Sequence, residues 1–234
     1  MRALLVRVGA DCTEAGGRWN GPVDSATGAF AYVPIPEFEP LRPGMETPYA
    51  RWAPAVGRLG VELPAGLRDR AAHADPDFGR LTYGDRRERG RQIREKLGAG
   101  DLLVFYAGLR DVRNGGLVYG LIGLLTVERI VRARDVPAER WAANAHTRRA
   151  EIGETDVVVE GGTRVSGRFD RCVPFAGYRA GAYRVREDLL ERWGGVGVRD
   201  GYVQRSARLP ELSAPGRFLA WLDEQRVALV ASDN

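Results

Sequence analysis

Residues 100–131 are GDLLVFYAGLRDVRNGGLVYGLIGLLTVERIV, and this stretch decides the fold. Residues 102–106 are apolar and aromatic, residues 117–131 are nearly all apolar, and a polar, glycine-rich loop separates them. The pattern predicts two paired β-strands. Tyr106 would end the first strand beside the flexible backbone of Ala107 and Gly108, just before a charged loop that begins at Arg110. An aromatic ring in that position predicts a pocket for a small molecule or a base at the mouth of a β-barrel.

Shorter segments on both sides of this hairpin predict further strands and helices. Strands are predicted at residues 2–8, 29–33, 155–159, 164–175 and 226–230, and short helices at residues 49–59, 86–97, 137–144, 187–193 and 213–225. This pattern predicts an α+β fold around a small β-barrel or a curved sheet with flanking short helices, without βαβ winding. The 234 residues suffice for a single domain, with residues 1–80 as an elaborated N-terminal region and residues 81–234 as the core.

The charge of the chain mildly favours an anionic partner. Lysine and arginine total 35 against 31 acidic residues, which gives a net charge of +4, and Lys96 is the single lysine. Arginine binds phosphate through a planar fork and stacks on aromatic rings, so an arginine-rich chain suits nucleic acid. A GC-rich genome also favours arginine over lysine, and composition alone does not separate these two explanations.

Neither a membrane span nor a disulfide framework is expected. No apolar run approaches the length needed to cross a bilayer, and the first residues, MRALLVRVG, resemble a strand rather than a signal peptide. The expected location is the cytoplasm, without a membrane partner. Cys12 and Cys172 lie far apart and outside any CxxC motif, so both are expected to be buried free thiols.

The segment His73-Ala-Asp75-Pro-Asp77 places an imidazole and two carboxylates at alternate positions. In an extended chain these three side chains share one face. They could bind a hard divalent ion or serve as acid–base groups. A structural turn, in which Asp75 bonds its own backbone, is the competing explanation.

Other polar clusters lie near predicted helix ends. Asp85 is expected to cap helix 86–97, whose arginines form either a solvated face or a phosphate-binding surface. The segment Asn144-Ala-His146-Thr-Arg148-Arg149 offers base-edge and phosphate contacts, although a buried structural histidine is equally compatible with it. Gln204-Arg205-Ser206-Ala-Arg208 is expected to be a surface loop. The sequence contains no P-loop, GxGxxG, HExxH, GxSxG or zinc-finger pattern.

Several of these segments together resemble one known family, the nucleotide-modification-associated domain family of the third type. The matching stretches are Leu4-Leu-Val-Arg-Val-Gly9, Asp11, Gly16-Gly17, Gly21-Pro22, Val33-Pro-Ile-Pro36, His73-Ala-Asp-Pro-Asp-Phe78, Thr82-Tyr-Gly-Asp85, Gly100-Asp-Leu-Leu-Val-Phe-Tyr-Ala-Gly108, Asn144-Ala-His146, Arg148-Arg149 and Gln204-Arg205-Ser206. The resemblance implies an association with DNA or nucleotide modification and names no reaction.

The hairpin itself, GDLLVFYAG followed by LIGLLTVERIV, is similar to the core hairpin of PUA-like domains, especially the EVE and ASCH groups. This second resemblance implies a small β-barrel with flanking helices. In the EVE-type members an aromatic-lined pocket binds modified bases.

The combined prediction is recognition of a modified or flipped nucleobase or nucleotide in a DNA-modification or defence system. Tyr106 would stack on the base. The residues expected to bind the base or nucleotide are Tyr83, Asp85, Tyr106, Ala107, Gly108, Asn144 and His146, and those expected to bind phosphate are Arg110, Arg148, Arg149 and Arg205. No cofactor is expected for this function. The expected partner is DNA or a nucleotide carrying a modified base, with protein partners from a modification system as a further option.

Two other functions fit the same residues. An enzyme acting on a nucleotide or base would use His73, Asp75, Asp77, Asp11 and His146 as its acid–base set or as ligands for a divalent metal. A scaffold subunit of a modification or defence complex would use the arginine surface to contact protein.

Overall fold

The computed structural model describes residues 1–9, 19–204 and 207–234. The strands are β1 Ala3–Arg7, β2 Pro22–Val23, β3 Ile35–Pro36, β4 Ala72–His73, β5 Thr82–Asp85, β6 Leu102–Asp111, β7 Leu117–Arg132, β8 Val157–Gly161, β9 Gly167–Arg179, β10 Ala182–Val185 and β11 Leu229–Val230. The α-helices are α1 Ala53–Gly57, α2 Ala65–Arg68, α3 Arg87–Lys96, α4 Glu187–Trp193 and α5 Pro215–Glu224. Short 3-10 helices span Tyr49–Trp52, Ala133–Asp135, Ala138–Ala143 and Arg199–Gly201. No helix in these described ranges is long and apolar enough to span a membrane.

The predicted hairpin is the centre of the main sheet. In the described parts of the chain, nine strands form one sheet in the order β1-β6-β7-β8-β5, with β2 beside β6, β9 beside β7, and β10 and β11 beside β9. The long strand β7 pairs with β6, with β9 through its first half and with β8 through its second half. Register shifts interrupt each of these ladders, and such irregularities bend a strand locally.

Both faces of β6 and of the first half of β7 are mostly buried, which explains the nearly continuous apolar sequence there. Alternate residues of β6 belong to different cores: Phe105 lies in one apolar cluster, and Val104 and Tyr106 lie in the other. Helices α4 and α5 cover the second face, where Trp193 is fully buried and contacts Phe175, Phe218 and Trp221.

The mixed α+β class is confirmed, with a large sheet and few helices. The PUA-like barrel is not confirmed, because among the described strand pairings none joins the two ends of the path, β1 and β5. Strand β1 pairs in parallel with β6, so residues 8–101 form the crossover between them. Part of this crossover packs as a third apolar cluster that includes Tyr49, Trp52 and Val56. The division of the chain at residue 80 stays a prediction.

Three local predictions from sequence are wrong. Tyr106 does not end the first strand of the hairpin, because β6 continues through Asp111. Residues 29–33 form no strand, and only Phe30 makes an isolated bridge, to Val23. Asp85 does not cap helix α3, because β5 stays extended through Asp85 to pair with β8, and the helix begins two residues later. The backbone N–H of Arg87 instead donates to Oγ1 of Thr155, at 3.0 Å.

Cys172 is a free, buried cysteine of β9, as the sequence predicts. Its Sγ occupies the space above Gly120, where a Cβ atom added to the glycine would lie 2.0 Å from the sulfur. Burial raises the pKa of this thiol to about 12. Cys12 lies outside the described residues.

We expect Cys172 to resist thiol reagents in the folded protein, because the thiol is both inaccessible and neutral. The measurement is titration with Ellman's reagent of a Cys12→Ser variant, which leaves Cys172 as the single thiol. Colour should develop only after unfolding in guanidinium chloride. Rapid reaction under native conditions would show that solvent reaches this part of β9.

Candidate functional site

A cavity of about 160 Å³ lies against two buried histidines and a buried aspartate. Nε2 of His73 lies 3.0 Å from Oδ2 of Asp75, and Nε2 of His146 lies 3.3 Å from the same oxygen. The two imidazole rings meet edge to face, with centroids 4.9 Å apart. Residues separated by more than 70 positions in sequence thus converge on one carboxylate oxygen.

Different elements supply the three side chains. His73 ends β4, Asp75 follows it by two residues, and His146 comes from the loop after the 3-10 helix Ala138–Ala143. Oδ1 of Asp75 accepts hydrogen bonds from the side chain of Asn144, at 2.7 Å, and from the backbone N–H of Gly84, at 3.0 Å. This oxygen is therefore fixed by neighbouring groups, which leaves Oδ2 to face the histidines.

Two further carboxylates orient the imidazoles. Nδ1 of His73 lies 2.5 Å from Glu37, and Nδ1 of His146 lies 2.8 Å from Asp156. Each imidazole therefore uses Nδ1 to bind its own carboxylate and turns Nε2 toward Asp75. Arg149 contacts Glu37 at 3.1 Å and lies 3.8 Å from Asp156, which compensates part of this buried negative charge.

Burial and charge act in opposite directions on the protonation of the site. Burial disfavours the imidazolium form of His73, but the carboxylates of Asp75 and Glu37 outweigh this effect and raise the pKa of His73 to about 9. Burial also disfavours the ionised form of Asp75, yet the two histidines lower its pKa. The pKa of Glu37 is likewise lowered, mainly by His73 and Arg149 acting against burial. The cluster consequently favours ionised carboxylates facing a proton or another cation on His73.

Arginines line the approach to this cluster. Arg7, Arg86 and Arg89 line the 160 Å³ cavity and also an adjacent cavity of about 400 Å³. Arg89 pairs with Asp85 at 2.9 Å and donates to the hydroxyl of Tyr83 at 2.8 Å. The larger cavity is further lined by the basic residues Arg87 and Arg208. An anionic ligand that enters this region meets mostly positive side chains.

A family model for nucleotide modification associated domain 3 matches residues 2–200 of the chain. The chain belongs to this family. The match spans every described residue of the histidine cluster, including Glu37 and Asp156. Comparisons with curated proteins and with solved structures give no match. The suspected family is thus confirmed, and membership associates the chain with nucleotide modification systems without naming a reaction.

Several of the site residues that we predicted from the sequence lie close together in the structure. His73, Asp75 and His146 form the cluster, and Tyr83 and Asp85 line the same cavity. Arg149 lies in this cavity wall but is committed to Glu37. Asn144 is fully buried and bonds Asp75 and the backbone of His146, so it supports the cluster and offers no free base-reading edge.

Asp77 and Arg148 pair with each other instead of joining the cluster. Nη2 of Arg148 lies 3.1 Å from Oδ2 of Asp77, and both residues are buried. Arg148 also donates to the carbonyl of Ala142 and to Oγ1 of Thr47. Arg80 binds the same carboxylate of Asp77 from the solvent side, at 2.9 Å. These contacts satisfy Asp77 and Arg148 within the protein.

Tyr106 lines the 400 Å³ cavity, but the residue is only 2% exposed. Its hydroxyl donates to the carbonyl of Val203 at 2.7 Å, and the ring packs edge-on against Phe175. Ala107 is buried in the opposite core, and the carbonyl of Gly108 accepts a hydrogen bond from Asn20. The predicted stacking platform therefore presents almost no surface to a ligand.

The remaining predicted residues lie elsewhere. Arg110 is exposed at the end of β6, where it donates to the carbonyl of Gly115 at 2.7 Å. Asp11 and Arg205 lie outside the described residues.

Sequence reasoning missed Glu37 and Asp156, which orient the histidines, and Arg7, which lines both cavities. Glu37 stands in a proline-rich segment and Asp156 directly precedes the apolar run of β8, so neither belongs to a recognisable motif. The clearest signal in the sequence was Gly84, between Tyr83 and Asp85. A Cβ atom at this position would lie 2.3 Å from Cδ2 of His146, so only glycine fits.

Proposed function

We propose that this protein is an enzyme that acts on a phosphate-bearing nucleotide, either free or within a DNA strand. The observation that carries the proposal is the convergence of the Nε2 atoms of His73 and His146 on Oδ2 of Asp75 at an arginine-lined cavity. Two imidazoles and a carboxylate supply groups that transfer protons or bind a metal ion. Membership of the family supports a nucleotide as the substrate.

The sizes of the two cavities suit a substrate whose reacting group and remaining part occupy different cavities. The larger cavity, about 400 Å³, falls within the range of roughly 300–1,000 Å³ that encloses small organic ligands. The smaller one, about 160 Å³, has room for a reacting group and not for a whole nucleotide. We infer that the reacting part of the substrate enters the smaller cavity while its phosphate lies near Arg7, Arg86 and Arg89. Guanidinium groups bind phosphate through paired, charge-assisted hydrogen bonds.

Recognition of a modified base without turnover, the function expected from sequence, has less support. That function relied on stacking by Tyr106 and base-edge contacts from Asn144. The ring of Tyr106 is buried against Phe175, and Asn144 is used by Asp75 and His146. A binding-only role also leaves the convergence of two histidines on one carboxylate without a purpose.

The test is incubation of the purified chain with nucleoside mono-, di- and triphosphates and with DNA oligonucleotides that carry 5-substituted pyrimidines. Reactions are analysed by liquid chromatography and mass spectrometry, with and without added Zn²⁺ or Mn²⁺. We expect one class of these compounds to be converted, and conversion to fall at least about a hundredfold in His146→Gln. If an oligonucleotide is bound unchanged and His146→Gln binds it equally well, the protein is a reader and the enzyme proposal is wrong.

Two exposed arginines offer a matched pair for the phosphate contact. Arg86→Gln should weaken nucleotide binding several-fold, because Arg86 lines both cavities. Arg110→Gln removes an equal charge from the end of β6, outside the lining of both cavities, and should leave affinity unchanged. Arg86 also pairs with exposed Glu39, but such a pair contributes at most about 1 kcal/mol to stability, so the variant should fold. Fluorescence anisotropy with a labelled nucleotide measures both variants, and equal losses would argue against the proposed phosphate position.

A further inference from the structure

We propose that His73, Asp75 and His146 bind one divalent transition-metal ion through two imidazole nitrogens and one carboxylate oxygen. One ligand atom from each residue lies within 4.8 Å of the others, and all three residues are buried. This metal site is the same site as in the proposed function, and the use that we assign to the metal rests on that function. The argument for metal binding uses only the positions of the three side chains and needs no substrate.

The separations between the ligand atoms suit a shared ion. Zinc binds imidazole nitrogen and carboxylate oxygen at about 2.0–2.2 Å, which places neighbouring ligand atoms roughly 2.8–3.6 Å apart for right-angle or tetrahedral coordination. The measured separations from Oδ2 of Asp75 are 3.0 Å to Nε2 of His73 and 3.3 Å to Nε2 of His146. Both fall within this range, and the ligand atoms of the two histidines lie within 4.8 Å of each other, so small side-chain movements would bring all three groups onto one ion.

The environment of Oδ2 of Asp75 supports the metal site independently of the distances between the ligand atoms. This oxygen is buried and makes no hydrogen bond with any described residue, although two imidazole nitrogens lie within 3.3 Å of it. The two imidazole nitrogens lie at ion-pair distance from this oxygen without completing a hydrogen bond to it. Buried carboxylate oxygens without a hydrogen bond are costly, and a metal ion between the three atoms would satisfy this one.

The surrounding residues complete the arrangement that metal-binding histidines require. Each imidazole uses Nδ1 to contact a carboxylate, Glu37 for His73 and Asp156 for His146, which leaves Nε2 as the metal-binding atom. Such carboxylate–histidine–metal chains fix the tautomer and the ring orientation. With neutral imidazoles, the carboxylates of Glu37, Asp75 and Asp156 exceed the positive charge of Arg149 by two. A divalent cation would neutralise this excess.

The ligand types select the class of metal. Imidazole suits zinc, iron, cobalt, nickel and copper, whereas magnesium and calcium prefer oxygen ligands throughout. Three protein ligands leave at least one coordination position open, and the adjacent 160 Å³ cavity gives water or substrate access to it. The site therefore has the composition of a reactive centre rather than of a closed structural one.

The test is calorimetric titration of Zn²⁺ into the full chain after treatment with EDTA, in the absence of nucleotide. We expect one Zn²⁺ per chain, not displaced by excess Mg²⁺. Affinity should fall about a hundredfold or more in Asp75→Asn and in His146→Gln, and about 10–100-fold in Asp156→Asn, which removes an orienting carboxylate. Asp24→Asn, in an exposed loop where Asp24 pairs with Arg113, should not change it. Circular dichroism of the metal-free variants checks folding.

X-ray absorption of the zinc-loaded wild-type chain tests the ligands without any substitution. Two imidazoles at about 2.0–2.1 Å and an oxygen ligand are expected. Substoichiometric binding, or equal Zn²⁺ affinity in folded Asp75→Asn, would overturn the inference. Metal binding and nucleotide turnover are measured separately, so turnover by the EDTA-treated chain would sustain the proposed function alone. Zinc binding without turnover of any nucleotide would sustain the metal site alone.

Discussion

Arg148→Met is expected to lower the free energy of unfolding by about 3 kcal/mol, because it leaves the carboxylate of Asp77 buried without its internal partner. Asp77 is fully buried, and the guanidinium of Arg148 lies 3.1 Å from it. Methionine fills much of the space of arginine without its charge. The decrease in the free energy of unfolding therefore reflects the lost ion pair more than a newly formed cavity. Urea denaturation followed by tryptophan fluorescence measures the change.

Arg80→Met is the matched control. Arg80 binds the same carboxylate oxygen of Asp77 at 2.9 Å, but its side chain is 43% exposed. Exposed ion pairs contribute about 0–1 kcal/mol, so this variant should be nearly as stable as the wild type. The comparison also tests the phosphate role predicted for Arg148 from the sequence. A stable Arg148→Met protein with weakened nucleotide binding would restore that role.

Gly84→Ala is expected to lower nucleotide conversion about a hundredfold. An alanine Cβ would lie 2.3 Å from Cδ2 of His146, 2.7 Å from Oδ1 of Asn144 and 3.0 Å from Oδ2 of Asp75. His146 or Asp75 must move to relieve this overlap, and a displacement of about 1 Å in a reacting centre can reduce the rate a hundredfold. The overlap should also destabilise the fold by about 1–3 kcal/mol.

Gly98→Ala supplies the comparison, because a Cβ atom at Gly98 meets no atom within 4 Å. Conversion of the nucleotide and the midpoint of urea denaturation are measured for both variants. Full activity in a folded Gly84→Ala protein would show that the position of His146 does not matter. That result would mean that the histidine cluster takes no part in the reaction.

The sequence predicts the central hairpin because an apolar run bounded by glycine and charged residues has few alternatives to a buried strand. It does not predict the environment of Tyr106, since an aromatic residue in a strand looks the same whether it faces a ligand or packs against Phe175. The cap predicted at Asp85 fails for a related reason: pairing between β5 and β8 keeps the backbone extended where local preference favours a helix start.

The candidate site was only partly predictable. The alternation of His73, Asp75 and Asp77 predicts that all three side chains share one face, but Asp77 contacts Arg148 while Asp75 contacts His146. Which carboxylate joins the histidines depends on a loop more than 60 residues further along the chain. Glu37 and Asp156 orient the two histidines through tertiary contacts, so no local sequence pattern predicts them.

The parallel pairing of β1 with β6 has a consequence for synthesis on the ribosome. The partner of Ala3 is Leu102, so β1 emerges long before the strand that it joins. At roughly 5–20 residues per second, the ribosome needs on the order of 5–20 seconds to translate the intervening crossover. Throughout that interval the nascent chain carries an apolar segment without its neighbour, exposed to chaperones and to other nascent chains.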